Sequence, residues 1–214
     1  MRFIYTSKSL QERSIQSSSN VDSLLDEIIA FNEDLNQFKY GLEYKGRIIQ
    51  GEVDPEDYDK FYHMASPKEF EEQGGGVCWD YTTYEADYFT RHFPEIDFKC
   101  WFVYFDDGQD MPTHTFLTFE YDEQVYYIES SFGAIQGVYV ADDESNIISF
   151  VLESMIDYTD GNVDLSGCAY YVFSYDALDP ELIGKGCYDF MNYVINTGEE
   201  SFLAYIGDHD VTPI

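Results

Sequence analysis

The chain has 214 residues, of which 44% are hydrophobic and 18% aromatic, with 20 tyrosines. That is enough apolar surface for a packed core of one domain and excludes a disordered acidic tail. Forty-two acidic residues against 11 basic ones leave a formal net charge of −31, which excludes binding through nucleic-acid phosphates, since those contacts require Lys and Arg, and suits a basic protein or peptide partner.

Residues 1–5 (MRFIY) read as a short strand, and residues 7–20 as a polar irregular stretch ending in a helix N-cap at Asn20. Leu24, Leu25, Ile28, Ile29, Phe31, Leu35 and Phe38 then recur at helical spacing up to Gly41. Residues 42–53 contain GRIIQGEV, a hairpin or strand pair, and residues 54–62 are acidic and turn-prone. Pro67 suits the first turn of a helix that runs through Gln73 into three glycines. Val77, Tyr81, Tyr84 and Tyr88 give the next helix an apolar face, which His92 and Pro94 break. Residues 98–105 (FKCWFVYF) are a continuous apolar run, as in a buried central strand, followed by a loop over 106–111. THTFLTFEY and QVYYIE form a hairpin, and SSFGAIQGVYV adds a turn and a strand. Residues 142–156 read as a helix burying Ile147, Ile148, Val151, Leu152 and Met155. An acidic loop over 157–167, a strand over 169–175 and a helix within 179–196 follow.

The sequence MRFIYTSKSL lacks the apolar core of a signal peptide, and no window reaches the length of a membrane span. A cytoplasmic protein with reduced thiols and no membrane contact is expected. Cys78, Cys100, Cys168 and Cys187 form no C-x-x-C pair, so neither a metal nor a cofactor is expected. His63 reads as an ordinary surface or core histidine.

The chemistry concentrates in GGGVCWDY. The glycines Gly74 to Gly76 let a backbone or a substrate come close, and they place Cys78 in the first turn of a helix, where unpaired N–H groups and the dipole favour an anion such as a thiolate. Partners lie downstream. A two-residue turn at Asp122 and Glu123 would pair Tyr121 with Gln124. Carried along, that register sets Phe116 opposite Glu129, and Glu129 becomes the diagonal same-face neighbour of His114, within reach of a long side chain. Cys78, His114 and Glu129 then supply a nucleophile, a base and an orienting acid.

This order and spacing of Cys, His and acid resembles the transglutaminase-like branch of the papain-like cysteine peptidase superfamily, with GVCWD, His114 and the IES that contains Glu129 as the matching motifs over about residues 66–137. The usual acid of that family is Asp; Glu129 departs from it. Many members belong to bacteria and their phages. The resemblance implies an α+β fold, a cysteine-bearing helix packed on an antiparallel sheet. Residues 66–214 would form the catalytic core with a C-terminal elaboration, and residues 1–65 a helical and hairpin extension. It implies acyl transfer on an amide of a protein or peptide through a thioester resolved by water, as in a peptidase or amidase, or by an amine, as in a transglutaminase. Gln73 is similar in type and rough position to the oxyanion glutamine of papain-like enzymes, and Trp79, Gly75 and Gly76 would lie along the substrate. Two other classes remain: a non-catalytic binding or structural protein on the same fold, and an acidic decoy for a basic partner.

Overall fold

The computed structural model describes residues 21–43, 48–49, 61–106, 108, 112–158, 165, 167–201 and 210–214. Outside these lie the strand expected at residues 1–5, the polar stretch over 7–20 with its Asn20 cap, the connection and far end of the 42–53 hairpin, the acidic turn over 54–60, and parts of the loops over 106–111 and 157–167. Among the described residues the protein is α+β, with five helices around an antiparallel seven-stranded sheet.

Helix α1 (Val21–Leu35) buries Ile28, Phe31 and Leu35, which the 3.6-residue period sets on one side. The apolar pattern continues to Phe38, but the helix stops at Leu35. There Asn36, Gln37 and Phe38 donate to the carbonyls of Glu33, Asp34 and Leu35 in tight turns, and the chain leaves as β1 (Lys39–Tyr40). The short pair β2 (Leu42–Glu43) and β3 (Ile48–Ile49) follows, antiparallel as expected. Helix α2 (Pro67–Gln73) starts at its proline behind a reciprocal cap: the Glu69 amide donates to Ser66 Oγ and the Ser66 amide to the Glu69 carboxylate. It ends at Gly74 in the left-handed conformation, φ 80°.

The next two glycines form β4 (Gly75–Gly76), which runs parallel to β1, Lys39 opposite Gly75 and Tyr40 opposite Gly76. Gly75 has φ 144°, and a Cβ there would lie 2.0 Å from the Lys39 carbonyl oxygen. The glycine run therefore admits a neighbouring strand of the same chain.

Helix α3 (Cys78–His92) begins immediately afterwards and is covered on two sides. The aromatic face read from the sequence meets α1 and α2: Tyr84 and Tyr88 stack on Phe31, and Phe70 packs against Tyr81 and Tyr84. The other face, with Cys78, Thr82, Glu85 and Phe89, turns to the sheet, where Phe89 meets Phe119.

The sheet comprises β5 (Phe98–Asp106), β6 (Thr113–Tyr121), β7 (Gln124–Glu129), β8 (Gly137–Ala141), β9 (Ala169–Tyr175), β10 (Glu199–Glu200) and β11 (Val211–Pro213), in the order β10-β9-β5-β6-β7-β8-β11. β5, the continuous apolar run, lies between β9 and β6. Its residues supply three cores: Cys100 joins Leu117, Phe119 and Phe89 under α3, Phe102 joins Trp79, Phe173 and Phe190, and the alternate Trp101, Val103 and Phe105 join Phe116, Val172 and helix α4 (Glu144–Tyr158). Ile147, Ile148, Val151, Leu152 and Met155 of α4 are all buried; each such side chain contributes on the order of 1.5–3 kcal/mol. The helix expected within residues 179–196 forms in the C-terminal part of that stretch. Gly184, at φ 80°, and Gly186, the N-cap, delay it to α5 (Cys187–Thr197), which stacks Phe190 on Trp79.

Gly75→Ala is expected to destabilise the protein by about 3 kcal/mol or more, the sum of backbone strain and overpacking. Gly74→Ala, where nothing lies within 4 Å of the added carbon, should cost only the left-handed conformation, about 1–2 kcal/mol. Urea unfolding of the two variants checks the ranking.

Candidate active site

Cys78 is the first residue of α3, after an extended Val77 N-cap. A buried carboxylate fixes this helix start. Asp80 Oδ2 accepts the Val77 amide at 2.8 Å, and Oδ1 accepts the Ala65 amide at 2.8 Å and the Tyr62 hydroxyl at 3.1 Å. Asp80 thus ties the segment before α2 to the N-terminus of α3. Burial raises its pKa to about 6 against the pull of those three bonds. Gly76 makes room for it, since a Cβ there would lie 2.4 Å from Asp80 Oδ2.

One turn after Cys78, the Thr82 hydroxyl donates to Thr115 Oγ1 at 3.0 Å and docks α3 on the start of β6, beside His114. The β6–β7 hairpin has the expected two-residue turn, with Asp122 and Glu123 both at positive φ, and the expected register from Tyr121–Gln124 to Leu117–Ile128. Beyond it Glu129 reaches diagonally, and His114 Nε2 and Glu129 Oε2 are 2.7 Å apart. Cys78 lies close enough to the same imidazole to raise its pKa. The three residues are brought together nearly out of solvent: Cys78 is 5% exposed, His114 6% and Glu129 1%.

Glu129 is surrounded by donors. Besides His114, the Tyr127 hydroxyl reaches Oε2; the Ser131 amide (2.8 Å), the Ser131 hydroxyl (3.1 Å) and the Phe132 amide (2.7 Å) reach Oε1. Burial alone would raise its pKa; the His114 charge and these bonds outweigh it and lower it. Burial would likewise lower the His114 pKa, but Glu129 and Cys78 raise it above its ordinary value. The result is a buried carboxylate–imidazolium pair. Its contribution to stability is complete between the ordinary values of 4.5 and 6.5; it is lost as pH falls through the lowered Glu129 value or rises through the raised His114 value.

A second carboxyl lies on the same face of α3 as Cys78. Glu85 Oε1 accepts the Ser130 hydroxyl at 2.6 Å, and Asn32 of α1 donates to Ser130 Oγ at 2.9 Å and to the Glu129 carbonyl at 3.1 Å. Sequence reading missed this group and Asp80. The available signals were an acid three residues after the helix N-cap and an acid seven residues after the cysteine, on a face that also carries Phe89.

Other expected site residues have different roles. The Gln73 amide donates to the Gly75 carbonyl at 2.8 Å and so braces its own turn. Trp79 is core: it stacks on Phe190 at 3.9 Å and meets Tyr62 and Phe102 edge-on. Gly75 and Gly76 accommodate Lys39 and Asp80 at close range. His63 is exposed. A cavity of 520 Å³ opens beside β5, β9 and α5, lined by Cys100, Tyr175, Leu182 and Tyr193 among others; Cys78, His114 and Glu129 do not border it. No disulfide joins the four cysteines. Among the described residues no cluster of His, Cys, Asp or Glu is arranged to hold a metal, and no helix is long and apolar enough to cross a membrane. Comparison with known proteins finds no family model that matches the chain and no match among curated proteins.

Glu129→Gln would aim an amide NH₂ at groups that are themselves donors. We expect a loss of about 1–3 kcal/mol and a fall of the His114 pKa from its raised value, since the Glu129 charge no longer offsets burial. Titration of the imidazole protons by NMR measures the second effect; an unchanged value would contradict the ion pair.

Proposed function

We propose that this protein is a thiol acyltransferase or hydrolase of the transglutaminase-like, papain-like kind, acting on an amide of a protein or peptide through Cys78, His114 and Glu129. The observation that carries this reading is one imidazole between two groups: Nε2 lies 2.7 Å from a buried carboxylate, and a cysteine at a helix N-terminus lies close enough to raise the pKa of the same ring. Cys78 Sγ, its proton already held by the His114 imidazolium, attacks the acyl carbonyl carbon. The carbonyl oxygen becomes an oxyanion beside the first N–H groups of α3, which have no acceptor within the helix. Its collapse breaks the C–N bond, and His114 returns the proton to the departing amine. Water, or a second amine, then attacks the thioester with His114 as base and releases Cys78. Glu129 holds the ring in one orientation and stabilises the imidazolium. With a surplus of acidic side chains over the whole chain, a basic substrate or acceptor amine is favoured at long range.

Limiting iodoacetamide at neutral pH should label Cys78 ahead of the other three cysteines, as mapped by peptide mass spectrometry; preferential labelling of Cys100, Cys168 or Cys187 would overturn the assignment. Once a substrate is in hand, Glu129→Gln should lower the rate by about 10²–10⁴, as loss of the orienting acid does in serine triads.

A further inference from the structure

We propose that Glu85 is a positioning residue for the site described above, its carboxyl acting through Ser130 to clamp the strand end that carries Glu129 and so to keep His114 against Cys78. The inference rests on the proposed triad. Glu85 is two turns along α3 from the cysteine and 2% exposed. Its bond from Ser130 joins the helix of the nucleophile to the strand end of the orienting acid. Asn32 completes the clamp from α1, bonding both Ser130 Oγ and the Glu129 carbonyl. The elements that bear Cys78 and Glu129, with α1, are thereby linked through one buried hydroxyl.

The two buried glutamates differ in environment. Glu129 has four donors and the imidazole. For Glu85 one side-chain donor is resolved, and none of the described salt bridges involves it. Facing it are His114 on β6, Glu129 and Tyr127 on β7, Cys100 on β5 and Tyr175 on β9, while α1 presents the uncharged Asn32. Burial, with Glu129 adding to it, pushes its pKa up to about 8, against the opposing effects of Ser130 and His114. Glu85 is therefore a neutral acid at pH 7. The sign follows from the raised value: its contribution to stability is full below 4.5 and is lost as pH rises to about 8. Above that, a second anion beside Glu129 repels it and draws water toward the clamp.

The test needs no substrate. The rate of Cys78 alkylation by iodoacetamide is measured from pH 6 to 10 in the wild type, Glu85→Gln and Glu85→Leu. Glu85→Gln keeps a neutral acceptor for Ser130; it should match the wild type within about twofold at pH 6–7 and lack a decline that the wild type shows above about pH 8. Glu85→Leu leaves Ser130 without its acceptor and should slow labelling at all pH values by about 10–100-fold, the scale of a small misplacement of reacting groups. Should Glu85→Leu fail to fold, the alkaline limb of Glu85→Gln decides. A reactive Cys78 whose profile is the same in Glu85→Gln and the wild type overturns this inference alone. A wild-type Cys78 no more reactive than Cys168 overturns the proposed function and the inference with it.

Discussion

A carboxylate with 1% of its surface exposed keeps its charge only if donors enclose it, and enclosing Glu129 dictates the path of the chain around the site. The backbone turns back after β7 so that the Ser131 and Phe132 amides point at one oxygen, while Tyr127 and His114 point at the other. Both oxygens of Glu129 are thereby engaged. The charge at Glu129 then determines the state of His114, and His114 that of the contact with Cys78.

The rest of the fold presents Cys78 to that pair. Asp80 sets the first turn of α3, and Gly75 and Gly76 let β1 and the Asp80 carboxylate approach closely enough to hold it. Thr82 and Glu85 dock the sheet-facing side, while aromatic residues of α1 and α2 close over the other. A helix buried on both sides cannot rotate without breaking either the polar seam or the aromatic one, so the position of its first residue is determined by contacts along its whole length.

Much of this was legible in local pattern. A two-residue turn between alternating strands leaves one register, and that register sets Glu129 diagonal to His114. Apolar periodicity located α4 and its buried residues, and the glycine run located the start of α3. What the pattern could not supply was the partner of each face. Tyr81, Tyr84 and Tyr88 looked like the core-facing stripe, yet they pack on α1 and α2, and the more polar stripe faces the sheet. Helical period marks a face as buried without saying against what. For the same reason Trp79 and the two glycines were read toward a substrate, although their neighbours are Phe190, Lys39 and Asp80, distant in sequence or masked by their own turn. Buried acids such as Glu85 resemble surface acids in any composition, more so in a chain of 42.

The central claim is that Cys78 carries an acyl group as a thioester with His114 as its base. The most direct test is reaction with p-nitrophenyl acetate, a generic acyl donor. The account predicts a burst of one equivalent of nitrophenolate, one acetyl group on Cys78 by mass spectrometry, no burst in Cys78→Ala and a slowed burst in His114→Ala. Acetylation that bypasses Cys78, or a burst that survives Cys78→Ala, would contradict it.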